Sequence, residues 1–247
     1  MSLFYLAIHA KTVIHAGYLF DADTASLEPE MTIVIEENII SDVVAGYISP
    51  ESDDLYIDLT GYYILPGLID MHVHLTSQSS SKAYIERTTL NSADYAIRAT
   101  KNAEKTLLAG FTSVRNLGDA DSITISLRNA INNGVTFGPR IFSSGTTIST
   151  TGGHGDPTNS LNLTLTSDPG PREGVINGKE DAYKAVRHRY KQDADLIKIT
   201  ATGGVLSNAK NGQNPQMTVD EIKAIVASAK DYGFKVAAHA HGSEGIK

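Results

Sequence analysis

Apolar and polar residues alternate with a period of two along Thr12-Val13-Ile14-His15, Met31-Thr32-Ile33-Val34-Ile35 and Ile39-Ile40-Ser41-Asp42-Val43-Val44. Successive side chains of a strand point to opposite faces, so each run reads as a half-buried β-strand. The last two flank Glu36-Glu37-Asn38, a short polar turn that suits a β-hairpin. Residues 1–62 therefore read as a small β-rich unit. After Tyr62 the texture changes to short apolar runs separated by helical patterns, the mark of βαβ units and a parallel sheet.

Five strands are predicted in this second part: Ile64–His74, Thr112–Leu117, Arg140–Thr146, Leu196–Ala201 and Lys235–His241. Between them, Ala93–Ala109 is amphipathic, with Asn91 or Ser92 as cap and Gly110 as its stop. Ser122–Asn132 ends before Gly134, and Lys179–Lys191 forms a third helix. In the fourth, Thr218 and Glu221 make a capping box, and Ile222, Ile225, Val226 and Ala229 repeat at helical spacing up to Gly233. Two connections are long, 148–178 and 202–217, and loops of that size in a compact domain are functional or disordered. Both follow strands, and ligands of α/β sheets and barrels bind at the strands' carboxyl ends.

Composition narrows the field. The chain has 247 residues, 41% hydrophobic and 20% charged, which excludes a disordered tail, a disulfide scaffold or a fibrous repeat. Its 21 Lys+Arg against 28 Asp+Glu leave a net charge of −7, which opposes a nucleic-acid partner. With no cysteine, any metal must be held by histidine, carboxylate or a less usual ligand. No apolar run approaches the roughly 20 residues that span a bilayer, and Met1–Leu6 lacks the basic start of a leader. We expect no membrane partner and a cytoplasmic protein, or a periplasmic or secreted one if a leader has been removed.

The candidate chemistry sits at strand ends. Five of the eight histidines, His72, His74, His154, His239 and His241, lie at or just after a predicted strand. Asp70, His72 and His74 share a strand face by alternation, after the apolar run Leu65–Ile69, and two imidazoles spaced in this way can hold one metal ion. Burying those rings without partners is costly. Lys198 stands inside the apolar run Leu196-Ile197-Lys198-Ile199, and an unpaired lysine is almost never fully buried. Three explanations compete: an exposed strand edge, a buried carboxylate partner, or a deprotonated amine that reacts with carbon dioxide to give an anionic carbamate ligand. Val236-Ala237-Ala238-His239-Ala240-His241 repeats the paired-histidine pattern.

Taken together, Leu65–His74, Ala109–Arg115, Thr151–Gly155, Ile197–Gly204 and Ala237–Gly242 resemble the metal-dependent amidohydrolase superfamily, in order along the whole chain. The branch they are most similar to holds the Xaa-Pro dipeptidases and the zinc carboxypeptidases that release C-terminal arginine or lysine. The resemblance implies a (β/α)8 TIM-type barrel, represented by its first five βα units in residues 63–247. Residues 1–62 would be the N-terminal part of a small β-sandwich domain.

It also implies two divalent metals, zinc by expectation, bound by His72, His74, His239 and a bridging carbamate on Lys198. His154 would contact the tetrahedral oxyanion or a substrate carboxylate, and His241 would orient His239 or a substrate group. Asn208, Lys210 and Gln213 would lie where a loop selects the substrate's side chain. The superfamily further expects a histidine after strand six and an aspartate at strand eight. Neither is found here, and a complete eightfold barrel takes roughly 250 residues, so we expect a longer native molecule.

The implied function is hydrolysis of an amide bond in short peptides, on Xaa-Pro or C-terminal Arg or Lys substrates, by an oligomer of identical chains. Hydrolysis of a cyclic amide, as in imidazolonepropionase-like relatives, is the alternative. A non-catalytic assembly module is the third reading.

Overall fold

The alternating N-terminal runs form a four-stranded sheet in the computed structural model, which describes residues 10–205 and 210–247. β1 (Thr12–Asp21) pairs antiparallel with β2 (Ser26–Glu36), and β2 pairs antiparallel with β3 (Ile39–Ala45). β4 (Leu55–Ile64) runs parallel to β1, giving the order β3-β2-β1-β4. The hairpin between β2 and β3 registers Glu36 opposite Ile39, and Glu37 takes the left-handed conformation that such a tight turn demands. Val13, Ala16, Ile33 and Val34 are buried. The described residues of this unit form one four-stranded sheet.

A difference from the sequence expectation lies at the start of the next strand. Ile64 ends β4 instead of opening the next strand, and Leu65-Pro66-Gly67 separates it from β5 (Leu68–Val73). Pro66 has no N–H to give to a ladder, so the strand breaks there. The chain divides at the same place into two units, Met1–Gly67 and Leu68–Lys247.

In the second unit strands and helices alternate. β5 is followed by α1 (Ala83–Thr89) and α2 (Ser92–Leu108), β6 (Phe111–Asn116) by α3 (Ile123–Asn132), and β7 (Arg140–Ser143) by a long connection. That connection holds the short strands β8 (Ser149–Thr150) and β9 (Val175–Ile176) and one 3-10 turn at Leu163–Leu165. Then come α4 (Lys179–Lys191), β10 (Ile197–Thr200), α5 (Val219–Asp231), β11 (Val236–His239) and α6 (Ser243–Ile246). β5, β6 and β7 pair in parallel in that order, as do β10 and β11. Ile148 bridges onto β10: its N–H donates to Lys198 O at 2.8 Å, and Thr200 N–H donates to its carbonyl at 3.0 Å.

Two apolar clusters hold the layers together. Leu75, Ala99, Ala103, Val114, Ile123, Leu127 and Ile141 pack α2 and α3 against β6 and β7. Ile148, Ile176, Val186, Ile197, Ile199, Ile225 and Ala229 pack α4 and α5 against β9 and β10. Gly110, at φ +93°, ends α2 where a side chain would be strained. Among the described residues no helix is long and apolar enough to cross a membrane.

Candidate active site

Each βα unit delivers its polar residues at the carboxyl end of a strand, and in the second unit these ends meet. His72, His74, His154, Lys198, Thr200 and His239 line one cavity of about 430 Å3, with Val205 and Thr147 at its wall. His241 lies outside that lining, its ring 4.8 Å from the His239 ring and its backbone N–H donating to Thr202 Oγ1 at 2.9 Å. Lys210 and Gln213 are exposed in the loop after β10 and do not line the cavity. Asn208 lies outside the described residues.

The rings of His72 and His74 border the cavity on its exposed side. Asp70 Oδ1 accepts the His72 backbone N–H at 2.9 Å. The two Nε2 atoms stand 3.3 Å apart. A tetrahedral ion with bonds of about 2.0–2.1 Å would set two nitrogen ligands about 3.3 Å apart. His74 Nδ1 lies 3.2 Å from Gly118 O, an atom that can only accept, so Nδ1 carries the hydrogen and Nε2 keeps a lone pair toward His72. Burial first, then the charges of Lys198, His74 and Arg115, lowers the His72 pKa and favours the neutral ring that binds metals.

Lys198 is 5% exposed, in a strand flanked by β11 and by the Ile148 bridge, so it is not at an open edge. Among the described residues its amine has neither an ion pair nor a hydrogen bond. Burial first, and the Arg115 charge second, pulls its pKa from 10.5 to about 8. Among the described residues neither an open strand edge nor a carboxylate partner accounts for the lysine.

His239 Nε2 donates to Gly203 O at 2.9 Å, which leaves Nδ1 as its free lone pair. The His154 ring lies 4.4 Å from the His239 ring, and its Nδ1 is buried with no hydrogen-bond partner among the described residues. A Cβ on Gly204 would fall 2.4 Å from His154 Cε1, so the ring needs glycine at that position. Burial lowers both rings' pKa values, with His239 the next cause for His154.

Among the described residues no three His, Asp or Glu side chains are arranged to hold one metal ion. The donor chemistry nevertheless fits a cation: the His72–His74 spacing suits one ion, and the free lone pair of His239 and the amine of Lys198 belong to the same cavity. Lys198 would add an anionic oxygen only as a carbamate. Sequence reasoning missed Thr200, although alternation puts it on the face of Lys198, and missed Val205 and Thr147, whose roles are positional and leave no residue-type signal.

Parallel strands alternating with helices, and a histidine-rich cavity at the strands' carboxyl ends with a buried lysine, define an α/β protein built around a polar, histidine-rich site. The chain belongs to the amidohydrolase family, whose model matches residues 63–247. It is 30% identical to the ochratoxinase of Aspergillus niger over 255 residues, covering 95% of this chain and 51% of that protein. Among solved structures it is similar to a Xaa-Pro dipeptidase with methionine bound in its active site, at 51% identity and a TM-score of 0.91. That likeness covers 96% of this chain and 58% of the other. A prolidase complexed with N-methylphosphonate-L-proline is 34% identical, with a TM-score of 0.85 and coverage of 96% and 58%. The chain thus spans about half the length of the relatives it matches.

Proposed function

We propose that this chain carries the metal-binding half of an amide hydrolase that cleaves Xaa-Pro dipeptides. The observation that carries the reading is Lys198, buried with no counter-ion among the described residues and beside four histidines in one cavity. A neutral amine there is the form that adds carbon dioxide, with loss of a proton to solvent, and Lys198 as a carbamate would hold divalent metal together with His72, His74 and His239. Two divalent ions, zinc by donor type, would supply Lewis acidity toward a carbonyl and make water nucleophilic near neutral pH.

The chain's own residues do the rest. Gly118 O and Gly203 O fix the tautomers of His74 and His239, so that each presents one defined nitrogen. His154, which lines the same cavity, would donate to a developing oxyanion or to a substrate carboxylate. In this reading residues 63–247 are the first five βα units of an eightfold barrel, and the N-terminal sheet is part of a small β-domain. The dipeptidase and prolidase neighbours favour Xaa-Pro over C-terminal Arg or Lys.

The test is a dipeptide library with Pro, Arg, Lys and apolar C-terminal residues, assayed on the protein in its full natural length together with its metal content. We expect two divalent ions per chain and the highest kcat/KM on Xaa-Pro. Lys198→Ala should lose at least about a hundredfold in kcat/KM, the rate counterpart of the several kcal/mol that a metal centre supplies. Added acetate should restore part of it. A purified protein that binds no divalent ion, or a Lys198→Ala variant of full activity without additive, would overturn the reading.

A further inference from the structure

The long loop after β10 has no task in the reading above, yet it grips the loop that carries His154. Gln216 Oε1 accepts the His154 backbone N–H at 2.8 Å. The same residue's own backbone is anchored twice: its N–H donates to Ala201 O at 2.8 Å, and its carbonyl accepts from Thr150 Oγ1 at 2.9 Å. Ala201 follows β10 directly and Thr150 ends β8, so one residue ties the strand of Lys198 to the start of the His154 loop. Only an oxygen can receive an N–H, which fixes the orientation of the Gln216 amide.

The His154 loop is otherwise knotted from within. Asp156 is buried; its Oδ2 accepts Gly152 N–H at 2.8 Å and its Oδ1 accepts Thr158 N–H at 2.8 Å. Those bonds shape the loop internally but do not set where it stands relative to β10. Among its ties to the strand are Gly155 N–H on Ser149 Oγ, itself bonded to Thr200 Oγ1, and the Gln216 amide on His154 itself.

We infer that Gln216 is a positioning residue that holds His154 over the cavity, through the His154–Gln216 hydrogen bond that joins the loops following β8 and β10. This rests on the proposed amide hydrolysis for its consequence, though not for its geometry. Because two of the three bonds use the Gln216 main chain, a side-chain substitution removes only the one that reaches His154.

The experiment compares Gln216→Met, which keeps length and loses the acceptor, with Gln216→Glu, which keeps an acceptor oxygen. Amide hydrogen exchange at His154 is measured in the metal-free protein, and kcat/KM and metal content in the loaded one. Gln216→Met should speed exchange at His154 by about tenfold with exchange at Ile199 unchanged, and lower kcat/KM by about ten- to a hundredfold at unchanged metal content, the effect of displacing a reacting group by about 1 Å. Gln216→Glu should restore both. Unaltered exchange at His154 in Gln216→Met, or wild-type kcat/KM in that variant, overturns the inference. If the wild-type protein cleaves no amide, the hydrolase reading falls, while the exchange measurement and its rescue by glutamate still decide whether Gln216 holds His154.

Discussion

A buried lysine without a counter-ion costs the folded chain free energy, and pH reveals how much. Lys198 has a pKa of about 8 in the folded chain, chiefly through burial, and unfolding returns it to 10.5. Between those values the unfolded chain binds more protons than the folded one, so stability rises with pH across that window. Below about pH 8 the whole penalty applies, about 3 kcal/mol. In metal-free protein Lys198→Met should therefore be more stable than wild type at pH 7 by up to about 3 kcal/mol, with the gap closing toward pH 10.5. Urea titrations of both proteins at pH 7 and pH 10 measure it; a Met variant no more stable at pH 7 would mean that burial does not penalise the charged amine. This residue also shows what could be read beforehand. A charge inside an apolar run is visible in any sequence, and so are histidines at strand ends. The hold of Gly203 on His239, or of Gln216 on His154, is not visible, because both depend on where distant backbone falls.

Among the elements, α5 is best defined by its own residues, and the structure adds a second duty to its cap. Glu221 Oε2 accepts from Thr218 N–H and Thr218 Oγ1, both at 2.8 Å, while its Oε1 accepts Gly178 N–H at 2.8 Å ahead of α4. Glu221 is buried, so its removal would orphan a shielded N–H as well as uncap α5. Glu221→Ala should cost about 2–3 kcal/mol, more than the roughly 1 kcal/mol of Thr218→Ala. Chemical denaturation of the two single variants ranks them; equal losses would show that the bond to Gly178 contributes nothing. Elements with a cap, a period and a stop, such as α2 and α5, lay open in the sequence for this reason. α1 did not: it has no buried residue, and it is attached by Arg87 Nη2 donating to Pro157 O at 2.9 Å and by an ion pair of Glu86 with Arg98, contacts distant in sequence. β8 and β9 were hidden too, since two-residue strands carry no period and form only where Ser149 meets Val175.

At the scale of the whole molecule, sheet edges decide behaviour in solution. β5 is an edge of the β5-β6-β7 sheet, and it leaves Ile69 64% and Met71 53% exposed. An edge strand with free backbone groups and apolar side chains is a template for pairing, and charge placed on it is the usual deterrent. Phe142 on β7, the opposite edge, is 46% exposed as well. Residues 1–247 prepared alone should therefore self-associate as concentration rises, and Ile69→Lys should shift that association to concentrations at least about tenfold higher, since about 1.4 kcal/mol suffices for that factor. Sedimentation velocity over a dilution series reads both proteins on one scale. Ile69 belongs to neither apolar cluster, so with Ile69→Lys secondary structure should be unchanged and the effect should be confined to association. A chain that stays monomeric at high concentration, with Ile69 unsubstituted, would mean that the β5 edge is guarded by its own twist or its polar residues, and that His72 and His74 open directly to solvent without needing a neighbouring strand to shield them.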